Sequence, residues 1–249
     1  MARLFVEPQK LAEEIVVLTD EDHRYLTRVL RLAVDDTVTL FDGKSVEATA
    51  RITRVGPRAL ELKIEERHAV AAIDRPHVTV IQALAKGDKL DLVVQKATEL
   101  GVARIIPVTT TRAIARLDAN TLRTMSRRSR WQKIAREASR QSGRLDVPEV
   151  ESVTALTTAL AASPKDALKL MLWEGARQTT LRSVLPPADE PPQQIVIAIG
   201  PEGGFTVEEV EAARHAGFTP VGLGPRILRT ETAALVVLSI LGYALGDLG

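Results

Sequence analysis

From His77 onward, short apolar runs alternate with stretches of helical periodicity, and this alternation narrows the possible folds more than any other feature. Residues 78–84, 104–108, 168–173, 195–199 and 221–223 read as strands. Between them, residues 88–100 place Leu92, Val93, Lys96 and Leu100 three and four apart, and Gly101 sits where a left-handed helix cap belongs. Residues 121–142 form a second helical stretch, ended by Gly143. Thr206 and Glu209 make a capping box that starts a third, which Gly217 stops. A final helix begins near Thr230. Strands that alternate with helices need crossover connections, so the expected product is a mostly parallel sheet covered on both faces. The proline-rich loop 186–194 cannot be helical.

The first seventy or so residues follow another pattern. Residues 37–41, 46–55 and 59–64 alternate like strands, and Asp42-Gly43 reads as a two-residue hairpin turn. A short helix over 21–30 interrupts them. Closing such a sheet into a small barrel or sandwich would remove its exposed edges. A chain of 249 residues accommodates two domains, here 1–72 and 73–249, with the change falling near residues 68–76.

Several chemistries are excluded early. With no cysteine there are no disulfides or thiolate metal sites, and the four histidines lack ligand spacing, so no metal is expected. No signal peptide is recognised, and the most apolar stretch, 233–245, is too short to span a bilayer. A cytoplasmic protein without membrane contact is the expectation.

The net charge of +1 conceals a strong local excess. Residues 112–144 hold nine arginines and one lysine against Asp118 and Glu137. Arg127, Arg128, Arg130, Lys133, Arg136, Arg140 and Arg144 lie on or just beyond one helix, with Trp131, Ile134, Ala135 and Ala138 as its packing stripe. Such a surface suits a phosphate backbone, which it would hold without reading sequence; a solvated helix face is the alternative. Arg3, Arg28 and Arg31 offer a second, weaker basic surface. The helix from Thr230 is apolar around most of its circumference and must be buried on more than one side; its own sheet covers one face, and a second copy of the chain could cover the other.

Gly200-Pro-Glu-Gly-Gly204 follows a strand and precedes a helix, where a phosphate loop would stand. It lacks the Gly-Lys-Ser/Thr ending and the three-glycine dinucleotide spacing, and no lysine is near it in sequence. Glu202 would repel a pyrophosphate but tolerate a sulfonium or an amine. A tight turn with no ligand is the plainer reading. A second turn, with Gly222 and Gly224, also links a strand to a helix. Two such turns at neighbouring strand ends would make a concave site at the carboxyl edge of a parallel sheet. Arg229 and Glu231 stand at its mouth, where an ion pair or a helix cap is the simpler role for Glu231.

The stretch IGPEGGFTVEEVEAARHAGFTPVGLGPRILRTETAA, residues 199–234, resembles the C-terminal signature of the SPOUT-class RNA methyltransferases. Within that class it is most similar to the bacterial enzymes that methylate N3 of a uridine in 16S rRNA. HRYLTRVLRL (23–32), LFDG (40–43), KGDKLDLVVQKATELGV (86–102), RWQKIAREASRQSGR (130–144) and VPEV (147–150) agree in order along the chain. The resemblance implies an α/β protein with an N-terminal PUA-like β-barrel and a C-terminal domain tied in a deep trefoil knot. Periodicity could not have given the knot, because knots are so rare. It also implies a homodimer acting on 16S rRNA within the 30S subunit, with S-adenosylmethionine bound in the knot. The implied cofactor contacts are Leu172, Trp173, Gly200, Pro201, Glu202, Gly203, Leu223, Gly224, Ile227, Leu228 and Arg229.

Methyl transfer from a sulfonium needs no metal, but the N3 proton must leave and the charge spreading onto O2 and O4 must be stabilised. Arg229 is the first candidate for that stabilisation and Arg112, from either subunit, the second; Glu202 or Glu231 would accept the proton. Two rivals stay open: a SPOUT enzyme acting on a ribose 2′-hydroxyl or another base, and a non-catalytic RNA-binding assembly factor.

Overall fold

A computed structural model describes residues 2–44, 46–69, 75–113, 122–187 and 190–248, with the backbone alone for 122–124. The chain divides into two compact units, Met1–Ile73 with Ser139–Val147, and Asp74–Ala138 with Pro148–Gly249.

The first unit carries β1 (Ala2–Phe5), α1 (Pro8–Leu11), β2 (Ile15–Thr19), α2 (Asp20–Arg24), a π turn over Tyr25–Val29, β3 (Thr37–Phe41), β4 (Val46–Val55) and β5 (Ala59–Ala69). Their order is β1-β3-β4-β5-β2, with β1 parallel to β3 and the other pairs antiparallel. Alternate residues of all five strands, from Leu4 to Ile64, share one core with Leu11 and Leu26. A sheet whose two edge strands feed the same core must curl around it. The ladder nevertheless ends at β1 and β2, so the sheet is a curled, open one where the sequence suggested a closed barrel or sandwich. The hairpin between β3 and β4 also differs from the two-residue turn expected. β3 ends at Phe41 and β4 starts at Val46, and the Asp42 carboxylate holds the connection by accepting from the backbone N–H of Lys44 at 2.8 Å and of Val46 at 3.0 Å.

The second unit contains β6 (His77–Ala83), α3 (Lys89–Glu99), β7 (Arg104–Thr109), most of α4 (Leu122–Ser142), β8 (Glu149–Val150), β9 (Thr154–Ala155) and α5 (Leu156–Ala161). It continues with β10 (Leu168–Leu172), α6 (Leu181–Val184), β11 (Gln194–Ile199), α7 (Val207–His215), β12 (Thr219–Val221) and α8 (Thr230–Ala244). Every strand pairing is parallel, in the order β12-β10-β11-β6-β7-β8, with β9 also on β7. The parallel α/β sheet expected from the alternation is therefore present.

Helix ends follow their local chemistry. The α7 capping box is formed in both directions between Thr206 and Glu209. Gly101, Gly143 and Gly217 take positive φ where the helices stop. β12 starts two residues earlier than the sequence reading placed it, and Pro220 is accepted there because β12 is an edge strand with no neighbour beyond it. α8 packs on α3 and β11, burying Ala233, Ala234, Val237, Leu238 and Leu241. Among the described residues, no helix is long and apolar enough to cross a membrane.

Candidate active site

The strand order places the carboxyl ends of β12, β10, β11 and β6 side by side. Four connections leave from this edge: 173–180 after β10, the glycine turn 200–204 after β11, residues 84–88 after β6, and 222–229 after β12. Backbone bonds knit two of them together. Trp173 N donates to Val221 O at 3.0 Å, and Gly222 N to Thr179 O at 2.9 Å. The approach is so close that a Cβ on Gly222 would lie 2.7 Å from the carbonyl oxygen of Ala176, which explains the absence of a side chain there. Gly224, by contrast, takes φ +109° with open space around it. The two glycine turns read from the sequence leave the same sheet edge, with β10 standing between their strands where the sequence reading made those strands neighbours.

A hydrogen-bond chain beneath them was not legible in the sequence. Gln82, fully buried at the end of β6, donates through Nε2 to Thr230 Oγ1 at 2.9 Å. Thr230 Oγ1 donates in turn to the carbonyl of Gly200 at 2.7 Å. The first residue of α8 is thus pinned between β6 and β11, and residues 222–229 must run from the sheet edge at β12 across to that point. Gln82 Oε1 is buried and accepts no hydrogen bond.

Charged side chains gather above this frame. Arg229 is the N-cap residue of α8, is exposed, and has no side-chain hydrogen bond or ion pair among the described residues. Glu202 meets a lysine after all, because the fold brings the first turn of α3 to the glycine turn. Its Oε1 accepts from Lys89 Nζ at 2.8 Å and from Lys86 N at 3.0 Å. Burial pushes the Glu202 carboxyl up, but the Lys89 ammonium and the backbone N–H donors outweigh it and hold the group below the usual carboxylate value. Lys89 is raised in return, by its hydrogen bond to Glu202. Glu231, in the first turn of α8, has Oε2 3.7 Å from the same ammonium.

Arg112 stands differently from a residue reaching toward a substrate. Its Nη1 donates to the carbonyls of Gly203 at 3.1 Å and Phe205 at 3.4 Å in its own chain, so it braces the glycine turn. Among the apolar candidates, Pro201 and Leu172 are buried, and Trp173, Leu223 and Leu228 are half-buried. Ile227 is 85% exposed, a large apolar side chain left open at the mouth.

The basic residues divide into two groups. Arg127 lies exposed on α4; so do Arg128, whose Nε reaches Val150 O, Arg130, paired with Asp88 and Asp91, and Lys133. Arg28 and Arg31 are exposed in the first unit. Others serve the fold. Arg144 is buried and paired with Asp146. The half-buried Arg140 lies over the Tyr25 ring and donates to its hydroxyl. Arg3 stacks on Phe41 and pairs with Glu47. Charge counting cannot separate these groups, because both kinds are arginine. Arg136 is half-buried on α4. A separate depression of about 690 Å³, lined by Thr79, Ile106 and Val196 among others, opens toward the amino ends of the strands, away from the glycine turns.

Residues 74–242 match the RNA methyltransferase domain and residues 18–65 the RNA methyltransferase PUA domain. The chain belongs to the RNA methyltransferase family. This methyltransferase is 32% identical to the ribosomal RNA small subunit methyltransferase E of Bacillus subtilis, over 98% of this chain and 96% of that protein. It is 34% identical to the protein of the same name from Synechocystis, over 95% and 76%. A crystal structure of ribosomal RNA small subunit methyltransferase E from Neisseria gonorrhoeae, bound to S-adenosyl methionine, superposes with a TM-score of 0.86 at 35% identity, covering 98% of this chain and 97% of that one. The family read from the motifs is therefore the family of the chain. Sequence reasoning missed Lys89, Gln82 and Thr230 in this methyltransferase. The one available signal was the KGDKLD motif itself, which places Lys89 at the start of a helix.

Proposed function

We propose that this methyltransferase transfers a methyl group from S-adenosylmethionine to N3 of one uridine in 16S rRNA, acting on the 30S subunit in the cytoplasm. The observation that carries the reading is the convergence of both glycine turns and the open Arg229 at one sheet edge. The full-length likeness to small-subunit rRNA methyltransferases supports it. The residues fit the cofactor. Gly224 is surrounded by open space, Ile227 offers apolar surface, and Glu202 puts negative charge near a ligand that carries a sulfonium. Bound there, S-adenosylmethionine supplies an electrophilic methyl carbon.

The protein's own part is to orient the uracil, exclude water and handle one proton. Among the described residues Arg229 has no carboxylate partner, so its guanidinium is available for the charge that grows on O2 or O4 as N3 loses its proton. Gln82, Thr230 and Gly200 fix the start of α8, and with it the position of Arg229. The exposed cations of α4, led by Arg127 and Arg128, and Arg28 and Arg31 in the first unit, hold the RNA backbone.

A deep trefoil knot accounts for the path of 222–229. That segment leaves the edge strand, passes so close to the 173–180 connection that Gly222 has no room for a Cβ, and ends pinned to β6 and β11. A homodimer accounts for the outer side of α8, where Ile240 and Tyr243 stay exposed beside the buried face.

The deciding experiment incubates the protein with labelled cofactor and unmethylated small subunits, then digests the RNA to nucleosides. Label in 3-methyluridine is the expected result. Label on a ribose 2′-oxygen would move the reading to another atom, and no label in any nucleoside would overturn it.

A further inference from the structure

Three charged side chains meet above the carboxyl edge, and one of them, Lys89, has had no role. Lys89 is the first residue of α3, directly after its N-cap Asp88. Its ammonium lies 2.8 Å from Glu202 Oε1 and 3.7 Å from Glu231 Oε2, so one cation serves two carboxylates carried by different elements. The two carboxylates are not equivalent. Glu202 Oε1 already accepts from Lys89 Nζ and from the backbone N–H of Lys86. Glu231 Oε2 is buried and accepts no hydrogen bond, and the Lys89 ammonium lies 3.7 Å from it. The Glu231 side chain is also the most enclosed of the three, at 15% exposure against 26% for Glu202 and 31% for Lys89.

We propose that Lys89 is a positioning residue for methyl transfer, clamping Glu202 to the start of α3 and leaving Glu231 as the carboxylate that accepts the uracil N3 proton. The proposal rests on the N3 reading given above. A carboxylate that accepts two hydrogen bonds, one of them from an ammonium, would weaken both on protonation and is a poor acceptor. An unbonded oxygen on a partly buried carboxylate loses nothing of that kind. The remaining charged groups nearby are otherwise placed. Asp88 and Asp91 of α3 are taken by Arg130, and Asp91 also by the Trp131 indole. Lys96 pairs with Glu99, whereas Arg229, the N-cap two residues before Glu231, adds its positive charge to that of Lys89.

In the step itself the N3–H bond breaks and its proton passes to Glu231 Oε2. The N3 lone pair forms the new bond to the methyl carbon, and the electrons of the breaking carbon–sulfur bond stay on sulfur. Without the ammonium two carboxylates would share the site, and one of them would retain a proton to higher pH.

The test compares Lys89→Met, Lys89→Arg, Glu202→Gln and Glu231→Gln in the intact enzyme. It measures the pH profile of kcat/KM and cofactor affinity by calorimetry. Lys89→Met should move the acidic limb of the profile upward by about one pH unit or more, with cofactor affinity held within about threefold. Glu202→Gln should leave most of the turnover, since Glu231 keeps the acceptor role. Lys89→Arg should restore the wild-type profile, and Glu231→Gln should lower kcat by about a hundredfold or more. An unmoved profile in Lys89→Met would overturn the proposal, as would a loss of cofactor affinity equal to the loss of activity. Abolition of turnover by Glu202→Gln rather than Glu231→Gln would do the same. The nucleoside product of the wild-type enzyme is scored separately: methyl on N3 with a flat Lys89→Met profile removes this proposal alone, whereas methyl on another atom removes the N3 reading beneath it.

Discussion

Arg229 and Arg144 show how differently one residue type is used in this chain. Arg144 is sealed against Asp146, where its charge secures the start of the VPEV segment. Arg229 is held at the head of α8 with nothing paired to it among the described residues, an arrangement that favours a charge arriving with the substrate. Arg229→Ala should therefore lower kcat by about a hundredfold or more while leaving cofactor affinity measurable by calorimetry; near-normal turnover would remove Arg229 from the chemistry. Both arginines were visible in the sequence, but only burial and pairing tell them apart. Lys89 makes the same point in reverse. No lysine stands near Glu202 along the chain, yet the fold supplies one at 2.8 Å.

Longer units were easier to read. α3, α4, α7 and α8 announced themselves by periodicity and by the residues that end them, since a helix of several turns repeats its pattern often enough to be recognised. β1, β8, β9, α5 and α6 span two to six residues each and repeat nothing. The glycine turns were legible as unusual, although their purpose needed the neighbours. Gly222 has a backbone carbonyl where its Cβ would be, and backbone cannot step aside as a side chain can. Gly222→Ala should cost about 1–3 kcal/mol in chemical denaturation and weaken cofactor binding. On α4, replacing Arg127, Arg128 and Arg136 with glutamate should weaken RNA binding. It should also flatten the plot of log affinity against log salt by about 0.7–0.9 per lost phosphate contact. An unchanged slope would return these residues to the role of a solvated face.

Taken as one body, the chain is balanced in charge and uneven in its apolar surface. α8 buries one side against α3 and β11 and leaves Ile240 and Tyr243 in the open, an expense of exposed apolar area that a second copy would relieve. Light scattering at micromolar concentration should give twice the monomer mass of 27.1 kDa. Charged substitutions at Ile240 and Tyr243 should return it to the monomer value. A monomeric wild type would refute the homodimer.

The amino-acid sequence by itself determined the parallel α/β architecture, the change of pattern between the two units, the helix ends and the family. These follow from interactions between residues close in the chain, and from motifs long enough to be specific. Tertiary structure alone decided which arginines face solvent, that the N-terminal sheet stays open, and that Lys89, Glu202 and Glu231 share one site. Those facts depend on residues brought together in space from separate parts of the chain, in the case of Lys89 and Glu202 from 113 positions apart. Hydrogen bonding and desolvation act on distance in space, and no local pattern encodes that distance.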